Sequence, residues 1–138
     1  MKHHTFHMTN DLADLDRAIL SMKTRVEGTL GTSSTFKFEL GVTEALSNLI
    51  KHAHANDPAA LIQIIIWDNE TNVVVEIFDP IGAQSFDPRD HAKSLTSVDP
   101  LAESGRGLGL ILQCADHIDY GRKADRMCLS LTFLKSGD

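Results

Sequence analysis

A two-layer α/β sandwich, with a mixed but mostly antiparallel sheet covered by helices on one face, is the fold class this sequence predicts. Residues 12 to 30 and 35 to 54 repeat apolar side chains every three or four positions, the period of helices with one buried side. The runs "ALIQIIIW" and "TNVVVEIF" are rich in β-branched residues and are separated by a short polar turn, as in a hairpin. Near the C-terminus, "RMCLSLTFL" alternates with the period of a strand. A chain of 138 residues, 42% of them hydrophobic, suits one ordinary core and hence one domain over residues 1 to 138.

The elements follow in order. "HHTFHM" is expected to be a short strand at an edge or a frayed terminus. Thr9 or Asn10 can cap the next helix, whose apolar stripe is Leu12, Leu15, Ile19, Met22, Val26 and Leu30. "GTLGTSS" supplies a glycine stop and a fresh serine cap, so a second helix is expected from about Thr35 to His54, before "NDP". The hairpin follows, joined through Asp68, Asn69 and Glu70, with its first strand covered on both faces. From Ala83 to Ser104 no period is sustained, and so long an irregular stretch suggests a lid. "GRGLGLILQCADHI" opens on glycines and continues as an amphipathic helix. The final strand then presents Leu129, Leu131 and Phe133 on one face.

Charge and cysteine usage exclude some functions. Nineteen acidic residues against thirteen basic give a net charge of −6, and no Lys/Arg block is present to track a phosphate backbone, so direct nucleic-acid binding is not expected. Cys114 and Cys128 lack CxxC spacing and lie in apolar runs, which favours reduced core thiols while leaving a disulfide open. No signal peptide or membrane span is visible, so the expected location is the cytoplasm. The seven histidines form no HExxH or Cys/His set, and zinc is not expected.

Three motifs could carry chemistry. On the second helix, Glu44, Asn48 and His52 lie at about 0°, 40° and 80°, whereas Val42, Leu46, Leu49 and Ala53 gather near 180°. Such a polar stripe is most often simply solvated. In "SGRGLGL", Gly105, Gly107 and Gly109 lack a Cβ where a helix begins, so backbone N–H groups there can approach an anion closely. No strand immediately precedes these glycines, which rules out a dinucleotide-binding fingerprint. In "VEIFDPIGAQSFDP", Asp79 sits at a strand end before a turn containing Pro80 and Gly82, where a carboxylate can accept from a ligand amino group or merely start the turn.

Taken in order, these motifs resemble the ATP-binding domain of histidine kinases and gyrase, and the resemblance covers almost the whole chain. More narrowly, "TEALSNLIKHA", "FDP" at Phe86 to Pro88, "GRGLGL" and the ending "IDYGRKADRMCLSLTFLK" resemble the bacterial anti-sigma factor serine/threonine kinases. The resemblance implies that Glu44 is the general base, that Asn48 holds Mg²⁺ on the phosphates of ATP, and that Asp79 reads the adenine amino group. It also implies a nucleotide site that includes His52, Gly82, Gly105, Arg106, Gly107, Leu108 and Gly109. Members of the fold carry glycine where this chain has Ile81, so Gly82 is expected to take that role one place later, with Pro80 fixing the local φ. Arg106 is expected to add charge to the phosphates, whereas Arg89 and Lys93 suit a solvated lid. The implied partners are a sigma factor and an anti-anti-sigma antagonist protein, with a homodimer left open and no membrane. The implied activity is phosphorylation of that antagonist; the alternative is a sequestering module of the same fold, with nucleotide weakly bound or absent.

Overall fold

The computed structural model describes residues 2–52, 60–80, 109–111, 113–123 and 126–136, with backbone alone at His52. Five strands form one sheet in the order β1-β2-β3-β5-β4, where β1 is Lys2–Thr9, β2 Leu61–Asp68, β3 Asn72–Phe78, β4 His117–Lys123 and β5 Arg126–Leu134. Every one of these pairings is antiparallel, so no parallel pair of the expected mixed sheet occurs among the described strands. Two helices, α1 (Leu15–Leu30) and α2 (Thr32–His52), cover one face and complete the expected two-layer α/β sandwich.

The periodicities account for the core. α1 buries Leu15, Ala18, Ile19, Met22, Val26 and Leu30, and α2 buries Phe38, Val42, Ala45, Leu46 and Leu49. They meet Ile62, Ile64 and Ile66 of β2, Val73, Val75 and Ile77 of β3, and Leu129, Leu131 and Phe133 of β5, all on the helix side. Phe38 and Phe133 join the layers edge to face, with ring centroids 5.5 Å apart. The second face of β2 is only half-buried at Gln63, Ile65 and Trp67, so the strand alternates instead of being covered on both sides.

The helix boundaries differ from the sequence expectation for local reasons. Leu12 is 47% exposed and lies in a 3₁₀ turn, Leu12–Asp14, so it is not part of the apolar stripe. Asp11 caps that turn by accepting from the Ala13 N–H at 2.9 Å. Thr9 does not cap; its N–H donates to Asp14 Oδ2 at 3.0 Å. The Arg17 guanidinium beside Asp14 holds that carboxyl well below the usual carboxylate range. Gly31 alone separates α1 from α2, at φ 88° and ψ 163°, a conformation that favours glycine. α2 therefore starts at Thr32, earlier than expected, and Ser34 is no cap: its hydroxyl donates to the Leu134 carbonyl at 2.6 Å. Residues 53 and 54, the expected end of this helix, lie outside the described residues.

Strand β4 is a departure, since "HIDYGRK" was not expected to be a strand. The amphipathic helix expected through Ile118 is helical at 109–111 and 113–114 and then gives way to β4 at His117. The Asp116 N–H bonds to the Thr132 carbonyl at 2.8 Å, directing the chain into that strand.

On the sheet face away from the helices, Glu76 is 5% exposed and accepts from Trp67 Nε1 and Lys123 Nζ. Arg126 lies over the Phe78 ring, 5.3 Å from its centroid. Both cysteines are buried and free, as their apolar runs suggest.

Candidate functional site

α2 sets Glu44 and Asn48 one turn apart, about 6 Å along the axis. The polar stripe is not simply solvated. Asn48 is 4% exposed, and its Nδ2 has no hydrogen-bond partner among the described residues. A buried amide N–H without an acceptor costs about 1–3 kcal/mol, which a bound acceptor would recover. Glu44 is half-buried, and no hydrogen bond or ion pair to a described residue ties down its carboxylate. His52 lies on the next turn, where its backbone is helical.

Asp79 follows the last residue of β3. Its N–H bonds to the Met127 carbonyl at 3.0 Å, which continues the β3–β5 pairing by one step and fixes the backbone. Strand alternation turns its side chain to the side of Ile77, towards the helices. There the carboxylate is 4% exposed and accepts from the Tyr120 hydroxyl at 3.1 Å. Burial pushes the Asp79 carboxyl up to about 6, while the Tyr120 hydrogen bond opposes the rise. The group is therefore largely ionised at neutral pH and able to accept from an amino group.

Tyr120 was missed by sequence reasoning. Its contact joins residues 41 apart in the chain, and only the register of β4 on β5, with Tyr120 opposite Leu129, brings it to the end of β3. A search for a tyrosine on the helix side of a strand two places from the carboxylate's strand could have found it, had β4 been recognised.

Other expected site residues fall outside the described set: Ile81, Gly82, Arg89, Lys93, Gly105, Arg106, Gly107 and Leu108, and with them the proposed lid. Gly109 is described, as half-buried helical backbone at the start of the segment that expectation assigned to a helix. Among the described residues, no group of three or more His, Cys, Asp or Glu converges as a metal site, and no helix is long and apolar enough to cross a membrane. Mg²⁺ does not need such a cage, because it keeps several waters and takes its other ligands from phosphates. One buried amide, with an oxygen for the ion and an unpartnered N–H for a phosphate oxygen, fits that requirement.

No curated protein matches the chain. A family model described as the histidine kinase-like ATPase domain matches residues 8–133, a span from β1 to β5 that contains Glu44, Asn48, Asp79 and the glycine-rich turn. The antiparallel sheet, its two covering helices and this match together establish that the chain belongs to the histidine kinase-like ATPase family, whose fold binds ATP.

Proposed function

We propose that the protein is an ATP-dependent serine/threonine kinase that binds a sigma factor and phosphorylates an anti-anti-sigma antagonist protein. Asn48 carries the nucleotide part of this reading: an amide 4% exposed, with an unpartnered N–H, is more readily explained by a ligand than by packing. Asn48 would hold Mg²⁺ together with phosphate oxygens, and the ion would neutralise charge on the transferring phosphoryl group when bound. Glu44, unpaired among the described residues, would take the proton of the attacking hydroxyl. A hydroxyl is a weak nucleophile near neutral pH, so a carboxylate at that point matters. Asp79 would accept from the adenine amino group, and Gly105, Arg106, Gly107, Leu108 and Gly109 would surround the phosphates, with Gly82 beneath the base and His52 beside the nucleotide. The kinase class and both protein partners rest on the resemblance of "TEALSNLIKHA" and "GRGLGL" to anti-sigma factor kinases.

An ATP-Mg²⁺ titration tests the reading, followed by incubation with small antagonist proteins and mass spectrometry of the products. Saturable ATP binding and acid-stable phosphate on a serine or threonine of the antagonist are expected. Binding of the partner without phosphate transfer would move the assignment to the sequestering module, and acid-labile phosphate would move it to histidine chemistry.

A further inference from the structure

Tyr120 lies on β4, at one edge of the sheet, yet it packs against the helix-side core and its hydroxyl passes over β5 to the end of β3. There it donates to Asp79 Oδ2 at 3.1 Å. The backbone beneath the contact is fixed at both ends: Tyr120 is opposite Leu129 in the β4–β5 ladder, and the Asp79 N–H bonds to the Met127 carbonyl. A carboxylate placed only by its own strand could rotate about its Cα–Cβ and Cβ–Cγ bonds. A phenol anchored two strands away removes that freedom, since the bond survives only in orientations that keep Oδ2 towards β4.

We propose that Tyr120 is a positioning residue of the nucleobase pocket, occupying Asp79 Oδ2 so that Oδ1 is left as the acceptor for the exocyclic amino group of adenine. The proposal rests on the reading of Asp79 as the adenine acceptor. It adds a basis for selectivity: a base with a carbonyl at that position would set an acceptor against a fixed acceptor. It also adds a dependence on pH, because the Tyr120 hydrogen bond favours the ionised carboxylate against its burial.

Other titratable groups surround this pair. Cys128 of β5 has its thiol pushed up by burial and, in small part, by the Asp79 charge. Arg122 of β4 alternates to the side of Tyr120 and is exposed. Glu76 of β3, Lys123 of β4 and Arg126 of β5 alternate to the opposite face. α2 contributes Glu44 and Lys51 on the helix layer.

Tyr120→Phe in the full chain keeps the ring and removes the hydroxyl. Two measurements are needed: the titration of the Asp79 carboxyl by ¹³C NMR without nucleotide, and the affinity for ATP and GTP with Mg²⁺ across pH. The Asp79 midpoint is expected to rise above the wild-type value of about 6. ATP affinity should fall about three- to tenfold near pH 6 and return to within about twofold of wild type near pH 8, since each unit of pKa is a tenfold change in protonation. ATP should lose more than GTP. An unmoved Asp79 midpoint with ATP and GTP affinities changed by the same factor, or not at all, would overturn the positioning role while leaving the nucleotide reading intact. A wild-type protein that binds no ATP would overturn both.

Discussion

Gly41 of α2 and Cys114 meet closely: a Cβ on Gly41 would stand 3.2 Å from the Cys114 Cβ and 3.4 Å from Cζ of Phe133, so even a methyl group would have to push its neighbours aside. The contact packs α2, which carries Glu44 and Asn48, directly against the segment that follows the glycine-rich turn.

One substitution should therefore act oppositely at two helical glycines. Gly28 of α1 has nothing within 4 Å of its Cβ direction, so Gly28→Ala should stabilise by the helix-propensity gain of about 0.5–1 kcal/mol. Gly41→Ala gains the same amount but overpacks, at a cost of about 1–3 kcal/mol, and should be destabilising on balance. Urea denaturation of both variants checks the signs.

Glu44→Gln should retain ATP binding and lose phosphotransfer by about 10²- to 10⁴-fold, because the amide keeps the shape but cannot accept a proton. Activity within about twofold of wild type would remove Glu44 from the role of general base.

Asn48→Ala should weaken ATP chiefly when Mg²⁺ is present, with the effect fading in EDTA. Stability should change little, within about 1 kcal/mol, since the substitution deletes a buried N–H that no described residue satisfies. Loss of stability without loss of affinity would mark Asn48 as a structural residue.

Asp79→Asn is expected to weaken adenine nucleotides by about 1.5–3 kcal/mol through loss of a charge-assisted hydrogen bond. Its effect on the protein without nucleotide has the opposite sign. The folded carboxyl titrates at about 6, above its unfolded value near 3.8, so between those pH values the folded state holds a proton that the unfolded state has released. Stability from this group is thus present below the unfolded value and falls as pH rises through the window. Asn has no such titration, so the variant should lose that slope and be at least as stable as wild type at neutral pH, as thermal denaturation across pH would show.

The sequence made the helix layer legible because burial there follows a simple period: the stripes through Met22 and Val26 and through Val42 and Leu46 are buried as their spacing requires. The hairpin and β5 were legible for the same reason. β4 was not, because an edge strand with glycine at Gly121 and charge at Asp119, Arg122 and Lys123 has no apolar alternation to detect. Leu12 misled because periodicity ignores Asp11 and Asp14, whose hydrogen bonds hold it in a separate turn. The candidate residues Glu44, Asn48 and Asp79 were named from residue type and spacing, but two of their physical properties were not legible. The burial of Asn48 and the hold of Tyr120 on Asp79 depend on surfaces supplied by distant parts of the chain.

The strand order also governs how the chain must fold. β2 with β3 and β4 with β5 are neighbours in sequence and can pair by closing short loops, on the microsecond scale of hairpins. The seam between them, from Asn72 opposite Leu134 to Phe78 opposite Cys128, joins segments far apart in sequence, and so does the pairing of β1, whose Lys2 lies opposite Asp68. Those long closures bear most of the entropic barrier, so two preformed hairpins should collide before the sheet exists. Asp79 reaches its hydrogen bonds with Met127 and Tyr120 only across that seam, so both contacts form only once the two hairpins have joined.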